Sequence, residues 1–276
     1  MRFAPATTVA AIAFIGLSAC SRAGSDDAFK WTEELAPGAV VHIRNGAGNI
    51  QVRRAEGQTA TISGSRQWRR SRAKDIKFVV THTGNEYYVC AMWRASGKCG
   101  NGKYNGRQTN TLLSMFSLFH RSNDASADFI ADIPANVVVD ARTTLGTVEV
   151  EGLTAGVTAQ TTSGGVQAVN VSGPLSLSTT TGDVHLVTDS LSATDAIELS
   201  TRRGRITAEL PQNMEGNFDL SVMSGSVRND LGLAQGSRSK SGRHFQGQIG
   251  ASTRSVKMRV GNGSLTVTTR SAPSTH

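Results

Sequence analysis

Beyond Gly16 this chain of 276 residues has no apolar run long enough to cross a bilayer, so no membrane-spanning helix is expected in the remainder. Cysteine is scarce: the three present have no zinc-like spacing to one another or to a histidine. The six histidines, at 42, 82, 120, 185, 244 and 276, form no His-x-His or His-Glu-x-x-His pair. No metal site and no cofactor is therefore expected. Phosphate-binding loops and nucleophile elbows are also missing, and no acidic residue follows Asp230.

What is present begins with an export signal. Met1 and Arg2 give a positive start, and Ala4 to Gly16 is apolar but short. Leu17-Ser18-Ala19-Cys20 then resembles the lipobox at which bacteria acylate a cysteine and cleave before it. The expected division is a signal peptide over 1–19, a lipidated Cys20 opening a linker over 20–38, and a membrane partner reached through the acyl chains. Ser21 after the cysteine resembles the sorting signal for the outer membrane, so the expected location is the bacterial cell envelope. Cys90 and Cys99 remain as an even pair, and in an oxidising compartment they are expected to form a disulfide.

The formal charge of +8 is zoned rather than spread. Residues 65–125 carry eleven basic against three acidic residues, 126–230 carry five against thirteen, and 231–276 carry seven against none. The basic zones could meet anionic lipid, an envelope glycan or another protein, could dock on the acidic middle of a second copy, or could be ordinary solvated surface. Nucleic acid is not an expected partner for an exported chain.

One pattern organises the rest. Seven glycines, Gly48, Gly146, Gly164, Gly182, Gly204, Gly225 and Gly263, each sit between two short alternating apolar segments. The gaps from Gly146 to Gly225 run 18 to 22 residues. Seven residues before the anchors stand Val41, Val139, Val157, Leu175, Ile197, Phe218 and Val256; two after them stand Ile50, Val148, Val166, Val184, Ile206, Val227 and Leu265. Alternation of period two is that of a strand with one buried face. Each unit therefore reads as strand, Gly corner, strand, and a unit this small buries its apolar side only by stacking on its neighbours. The predicted fold is all-β, a parallel β-helix or β-solenoid. Its expected outward face is Gln51, Glu149, Gln167, His185, Thr207, Arg228 and Thr266, three places after each anchor.

Three places before the anchors, in phase with the buried positions, stand Asn45, Thr143, Thr161, Thr179 and Thr201, then Val222 and Val260. Hydroxyls there need partners, which the neighbouring turn backbone could supply. The expected divisions are a first coil over 39–64, a basic insertion over 65–132, regular coils over 133–270 and a disordered tail over 271–276. Within the insertion, Ile76, Phe78 and Val80 predict a strand that pairs with Tyr87–Trp93 across Thr83-Gly84-Asn85. Thr111 to His120 is apolar enough to cap the stack as a helix or strand, or to present a patch to a partner. Leu231 to Ser255 reads as a long loop or a degenerate coil.

Segments such as Thr161-Thr162-Ser163-Gly164-Gly165-Val166 and Thr179-Thr180-Thr181-Gly182-Asp183-Val184, with Ile133-Pro134-Ala135 before them, resemble the bacterial putative-adhesin family of GIN-like β-strand repeats. The resemblance covers roughly 39–268. It implies a right-handed parallel β-helix in proteins of largely unassigned function; the basic, Cys-containing insertion departs from the family pattern.

Catalysis would need converging groups. Glu149 with Glu151, or Asp183 with a neighbour in the next coil, could in principle pair for glycoside hydrolysis. The row after the anchors, Asn49, Thr147, Gly165, Asp183, Arg205, Ser226 and Ser264, holds too few acids for the calcium cluster of a polysaccharide lyase. The expected function is thus a non-enzymatic binding or scaffolding lipoprotein, with no catalytic residues. The alternatives are a polysaccharide-acting β-helix enzyme and a self-assembling envelope protein in which Arg238, Lys240 and Arg243 meet Glu149, Glu151 or Asp183 of another copy.

Overall fold

The computed structural model describes residues 24–68, 76–93, 97–100, 103–106, 125–191, 194–234, 236 and 242–270. Residues 1–19, expected as a signal peptide, Cys20, the apolar run 111–120 and the expected tail 271–276 lie outside them. No helix long and apolar enough to cross a membrane occurs among the described residues.

Alternation makes strands here because each apolar residue gains burial only if its polar neighbours point the other way. The arms before the glycines are β2 (Val40–Arg44), β10 (Val138–Arg142), β12 (Val157–Ser163), β14 (Leu175–Thr181) and the first halves of β16 (Ile197–Pro211), β17 (Gly216–Asn229) and β19 (Ser255–Arg270). The arms after them are β3 (Ile50–Arg54), β11 (Val148–Glu151), β13 (Val166–Val169), β15 (Val184–Val187) and the second halves of the same three long strands. All pair in parallel with zero offset: Val148 lies beside Val166 and Val166 beside Val184. The same holds for Val139, Val157, Leu175 and Ile197 on the first arm. The fold is the expected all-β solenoid, with the aliphatic rows of both arms sealed between them; Val227, on an end coil, is only half-buried.

The corner explains the glycines. All seven anchors have positive φ, from 116° at Gly48 to 148° at Gly263, a backbone shape that side chains disfavour. They also stack so closely that a Cβ on Gly164 would fall on the carbonyl oxygen of Gly146, one on Gly182 on that of Gly164, and one on Gly204 on that of Gly182. The same carbonyls satisfy the buried hydroxyls. Thr143 donates to Gly48 O at 3.0 Å, Thr161 to Gly146 O at 2.9 Å, Thr179 to Gly164 O at 3.0 Å and Thr201 to Gly182 O at 2.9 Å.

The segment 65–132, expected as an insertion beside the stack, contributes to it. β6 (Glu86–Met92) lies parallel on β2, and β9 (Ser126–Ile133) lies parallel on β3. Together they make a further coil on the outer side of β2 and β3. The expected hairpin is present: β5 (Lys77–Thr83) pairs antiparallel with β6. The stretch 20–38 is not all linker, because β1 (Gly24–Glu34) pairs antiparallel with β4 (Thr59–Trp68), which pairs antiparallel with β9. β4 also takes up residues 59–64, which were expected to belong to a parallel first coil. At the other end, β18 (Arg243–Ile249) is a strand antiparallel to β17 where a loop or degenerate coil was expected. Its sequence alternates so weakly that pairing to an existing edge, not its own pattern, makes it a strand.

Spatial order differs from chain order at both ends. β19 lies between β16 and β17, so the last described coil is not the outermost. Likewise β2 and β3 lie between the β6–β9 coil and the β10–β11 coil. Each stack end is therefore a coil from the interior of the chain; antiparallel β4 and β5 cover the β6–β9 end, and β18 covers the first half of β17.

Candidate binding surface

The seven residues expected to face outward do form one row on the second arm. Gln51 lies beside Glu149, then follow Gln167, His185, Thr207, Thr266 and Arg228, and Ile130 of β9 extends the row beyond Gln51. Arg228 and Thr266 are exchanged relative to chain order because β19 precedes β17 in space. The row one place after the anchors is structural. Asp128 Oδ1 accepts the backbone N–H of Asn49 at 2.7 Å, Asn49 Oδ1 that of Thr147 at 2.9 Å, and Asp183 Oδ1 that of Arg205 at 2.7 Å. Asp183, one of the acids weighed for catalysis, thus holds a corner. Among the described residues no three His, Cys, Asp or Glu side chains gather as metal ligands would.

The concave ground lies on the first arm, four and two places before the anchors. Outward side chains at the first of these positions stack as Arg44, Arg142, Gln160, Ser178, Ser200, Arg259 and Ser221. Adjacent members stand about 4.8 Å apart, the spacing of paired strands. Thr180, Arg202 and Met223 run alongside, nearer the corner. Between the two lines lies a groove of about 460 Å³ that reaches from Gln160 to Ser221. Its surface offers hydroxyls, an amide and guanidinium groups; Met223, 70% exposed, adds an apolar contact at its far end.

The groove continues past Gln160 into a second hollow of about 270 Å³, lined by Arg44, Asn45, Tyr104, Arg142 and Thr144 among others. The arginines here are held by one carboxylate. Arg44 Nη2 meets Asp140 Oδ2 at 2.5 Å, Arg142 Nε meets Asp140 Oδ1 at 2.7 Å, and His42 Nδ1 lies 3.1 Å from Oδ2. Burial alone would push the Asp140 pKa up. The hydrogen bonds from His42, Arg44 and Arg142, with the charge of Arg44, outweigh it and hold the carboxyl well below the usual range. His42 also stacks on Tyr88 with ring centroids 4.3 Å apart, and Tyr88 Oη donates to Glu86 at 2.6 Å.

One wall of this hollow comes from the segment that departs from the repeat. Cys90 on β6 is the rung neighbour of Arg44 and forms the expected disulfide with Cys99. Cys99–Gly100 (β7) pairs with Lys103–Tyr104 (β8), and Tyr104 Oη donates to Ala91 O at 2.7 Å. Trp93 lies against Gly46, where a Cβ would stand 3.0 Å from its ring. Sequence reasoning fixed on the row after the anchors and passed over Arg142, Gln160, Ser178, Ser200 and Arg259. Reading the polar positions before the anchors in the same way would have found the row, although not its order in space.

Comparison with known proteins gives the following. The Toastrack DUF4097 family profile matches residues 122–268, over half of the chain. A solved structure of a putative cell adhesion protein from Clostridium sporogenes ATCC 15579 aligns with a TM-score of 0.47 at 10% identity, over 88% of this chain and 99% of that one. A putative adhesin from Bacteroides fragilis NCTC 9343 aligns with a TM-score of 0.33 at 11% identity, over 87% and 96% respectively. No curated protein matches the sequence.

Proposed function

Since this chain belongs to the Toastrack DUF4097 family, we propose that it is a non-catalytic binding scaffold of the bacterial envelope whose first-arm groove holds a glycan chain. The observation that carries this reading is the run of Gln160, Ser178 and Ser200, three successive rungs that offer short neutral hydrogen-bonding groups at one repeat distance. A polymer of hydroxyl-bearing units matches such a surface better than a compact metabolite does, because each unit can meet an equivalent rung. Flanking Arg202 and Arg259 add charged donors, which make the stronger hydrogen bonds. The groove brings no pair of carboxylates together, and Asp140 beside it is committed to two arginines.

Anchoring would come from Cys20. Three residues separate it from Gly24, where β1 begins, so acyl chains there would keep the β1 end of the stack close to the bilayer. The Ser21 signal favours the outer membrane.

Two measurements test the reading. Full-length protein in detergent, titrated with peptidoglycan fragments and lipopolysaccharide core oligosaccharides, should bind at least one class; Ser178→Tyr with Ser200→Tyr should remove that binding while leaving the melting temperature in place. Retained binding in the double variant would reject the groove. Cys20→Ala should shift the protein from the membrane fraction to the soluble periplasm; an unchanged membrane fraction would reject the lipid anchor.

A further inference from the structure

Where the groove meets the disulfide-held segment, past the neutral run of Ser200, Ser178 and Gln160, arginines line it again and a buried polar atom is left over. Asn45 is 2% exposed and lines the 270 Å³ hollow. Its Nδ2 donates to Ala127 O at 2.7 Å, and its Oδ1 has no donor among the described residues. The equivalent positions in the next four coils hold threonines whose hydroxyls are all spent on the corner carbonyls, so this idle acceptor belongs to this rung alone among the five. Leaving such an acceptor unpaired in a buried place is unfavourable, and a bound hydroxyl or amide donor would remove that cost.

Beside it, two guanidinium groups share the single carboxylate of Asp140. Arg44 is almost enclosed, with 12% of its side chain exposed, and spends both terminal nitrogens on Asp140; Arg142 keeps 46% exposed and presents its remaining face to the hollow. One positive charge is thus left over where Arg142 stands. Glu86 lies across His42 from it, 3.6 Å from His42 Nε2, and hydrogen-bonds to Tyr88. Tyr104 closes the hollow on the side of the disulfide.

We propose that this hollow is a subsite for an anionic sugar unit, with Arg142 pairing its carboxylate or phosphate, Asn45 Oδ1 accepting from a neighbouring hydroxyl or acylamino N–H, and the Tyr104 ring covering its face. The inference deepens the glycan-binding reading and rests on it, since the hollow opens into the same groove through Gln160, which lines both. It also gives the Cys90–Cys99 bridge a role: with the Tyr104 Oη bond to Ala91 O it ties the wall that carries Tyr104 to β6, and reduction removes one of these ties.

The test titrates full-length protein in detergent with glucuronate, glucose 6-phosphate and glucose, followed by NMR of the backbone amides around Asn45 and Arg142. Both anionic sugars should shift those amides and glucose should not, with the two anions separating a carboxylate preference from a phosphate preference. Arg142→Gln, half-exposed and so compatible with folding, should weaken binding about tenfold or more, the loss of one charge-assisted contact. Reductant should weaken it as well, while binding of neutral oligosaccharide to the Ser178–Ser200 run persists. Equal binding of glucose, or unchanged affinity in Arg142→Gln, overturns the subsite and leaves the groove reading standing. Arg142-dependent binding of glucuronate with no glycan binding at Ser178 and Ser200 overturns the groove reading and leaves the subsite.

Discussion

The middle of the stack and its two ends are built from the same repeat but solve different problems. From β10 to the first half of β16, coil follows coil in chain order, each corner closed by a glycine and each buried hydroxyl spent on the carbonyl below. At the ends the order inverts, antiparallel strands cover the β6–β9 coil and the first half of β17, and the corner position holds Val222, Val260 or Asn45 instead of threonine. A middle coil has identical neighbours on both faces and can be repetitive. An end coil has an open edge, which recruits another chain when left bare, and here added antiparallel strands take up much of it.

The sharpest way to break the comparison is at a middle corner. Gly164→Val should cost about 4 kcal/mol or more, or prevent folding, because the side chain meets the Gly146 carbonyl at a φ of 137°. Gly84→Ala, in the turn of the end hairpin with open space around it, should cost only about 1 kcal/mol. Equal losses in urea unfolding would mean that the corner is not special.

Core truncation comes next. Leu177→Ala, fully buried, should cost about 3 kcal/mol, and Val227→Ala, half-buried on the outermost coil, about 1 kcal/mol. Similar shifts of melting temperature for the two would show that the end coil is as tightly packed as the middle.

The ion cluster at one end gives a third contrast, in pH. The Asp140 pKa is depressed in the fold, so its contribution is complete above the ordinary carboxylate pKa of about 4 and is lost progressively as pH falls from there through the depressed folded value. Asp140→Asn should destabilise by about 2 kcal/mol at pH 7 and by about 1 kcal/mol less at pH 3, where the unfolded carboxyl is mostly protonated and the folded one is still charged. A constant difference between urea midpoints at the two pH values would contradict this. The smallest effect sharpens the comparison instead: Val260→Thr should restore the corner hydroxyl opposite Gly204 and stabilise by about 0.5–1 kcal/mol. A lower melting temperature would show that valine is there for packing.

Much of this was legible because the repeat is a physical statement about burial. The seven apolar positions before the glycines are all buried, six of the seven after them are too, and the residues from Gln51 to Arg228 lie in one row. The family resemblance carried by Thr161–Val166 and Thr179–Val184 pointed to the same fold, and the family is the one the chain belongs to. Spatial order was not legible. Every coil offers the same parallel edge, so nothing in the pattern says that Val256 pairs with Ile197 and leaves Phe218 outside. Strands β1, β4, β5 and β18 take their structure from an edge already present, and only β5 alternates strongly enough to be foreseen. The groove followed from order as well: chain sequence would put Ser221 next to Ser200, and the fold puts Arg259 there.

The inverted order also bears on how this rod could grow. In a plain solenoid a duplicated unit can be appended at either terminus, and the object grows. Here a coil running on from β19 would start between two occupied layers, and the nearest open edge would be the outer side of the second half of β17. A duplicated unit keeps the existing order most simply in the regular interior between β10 and β15, as a leaf is sewn into a bound book and not pasted after its last page.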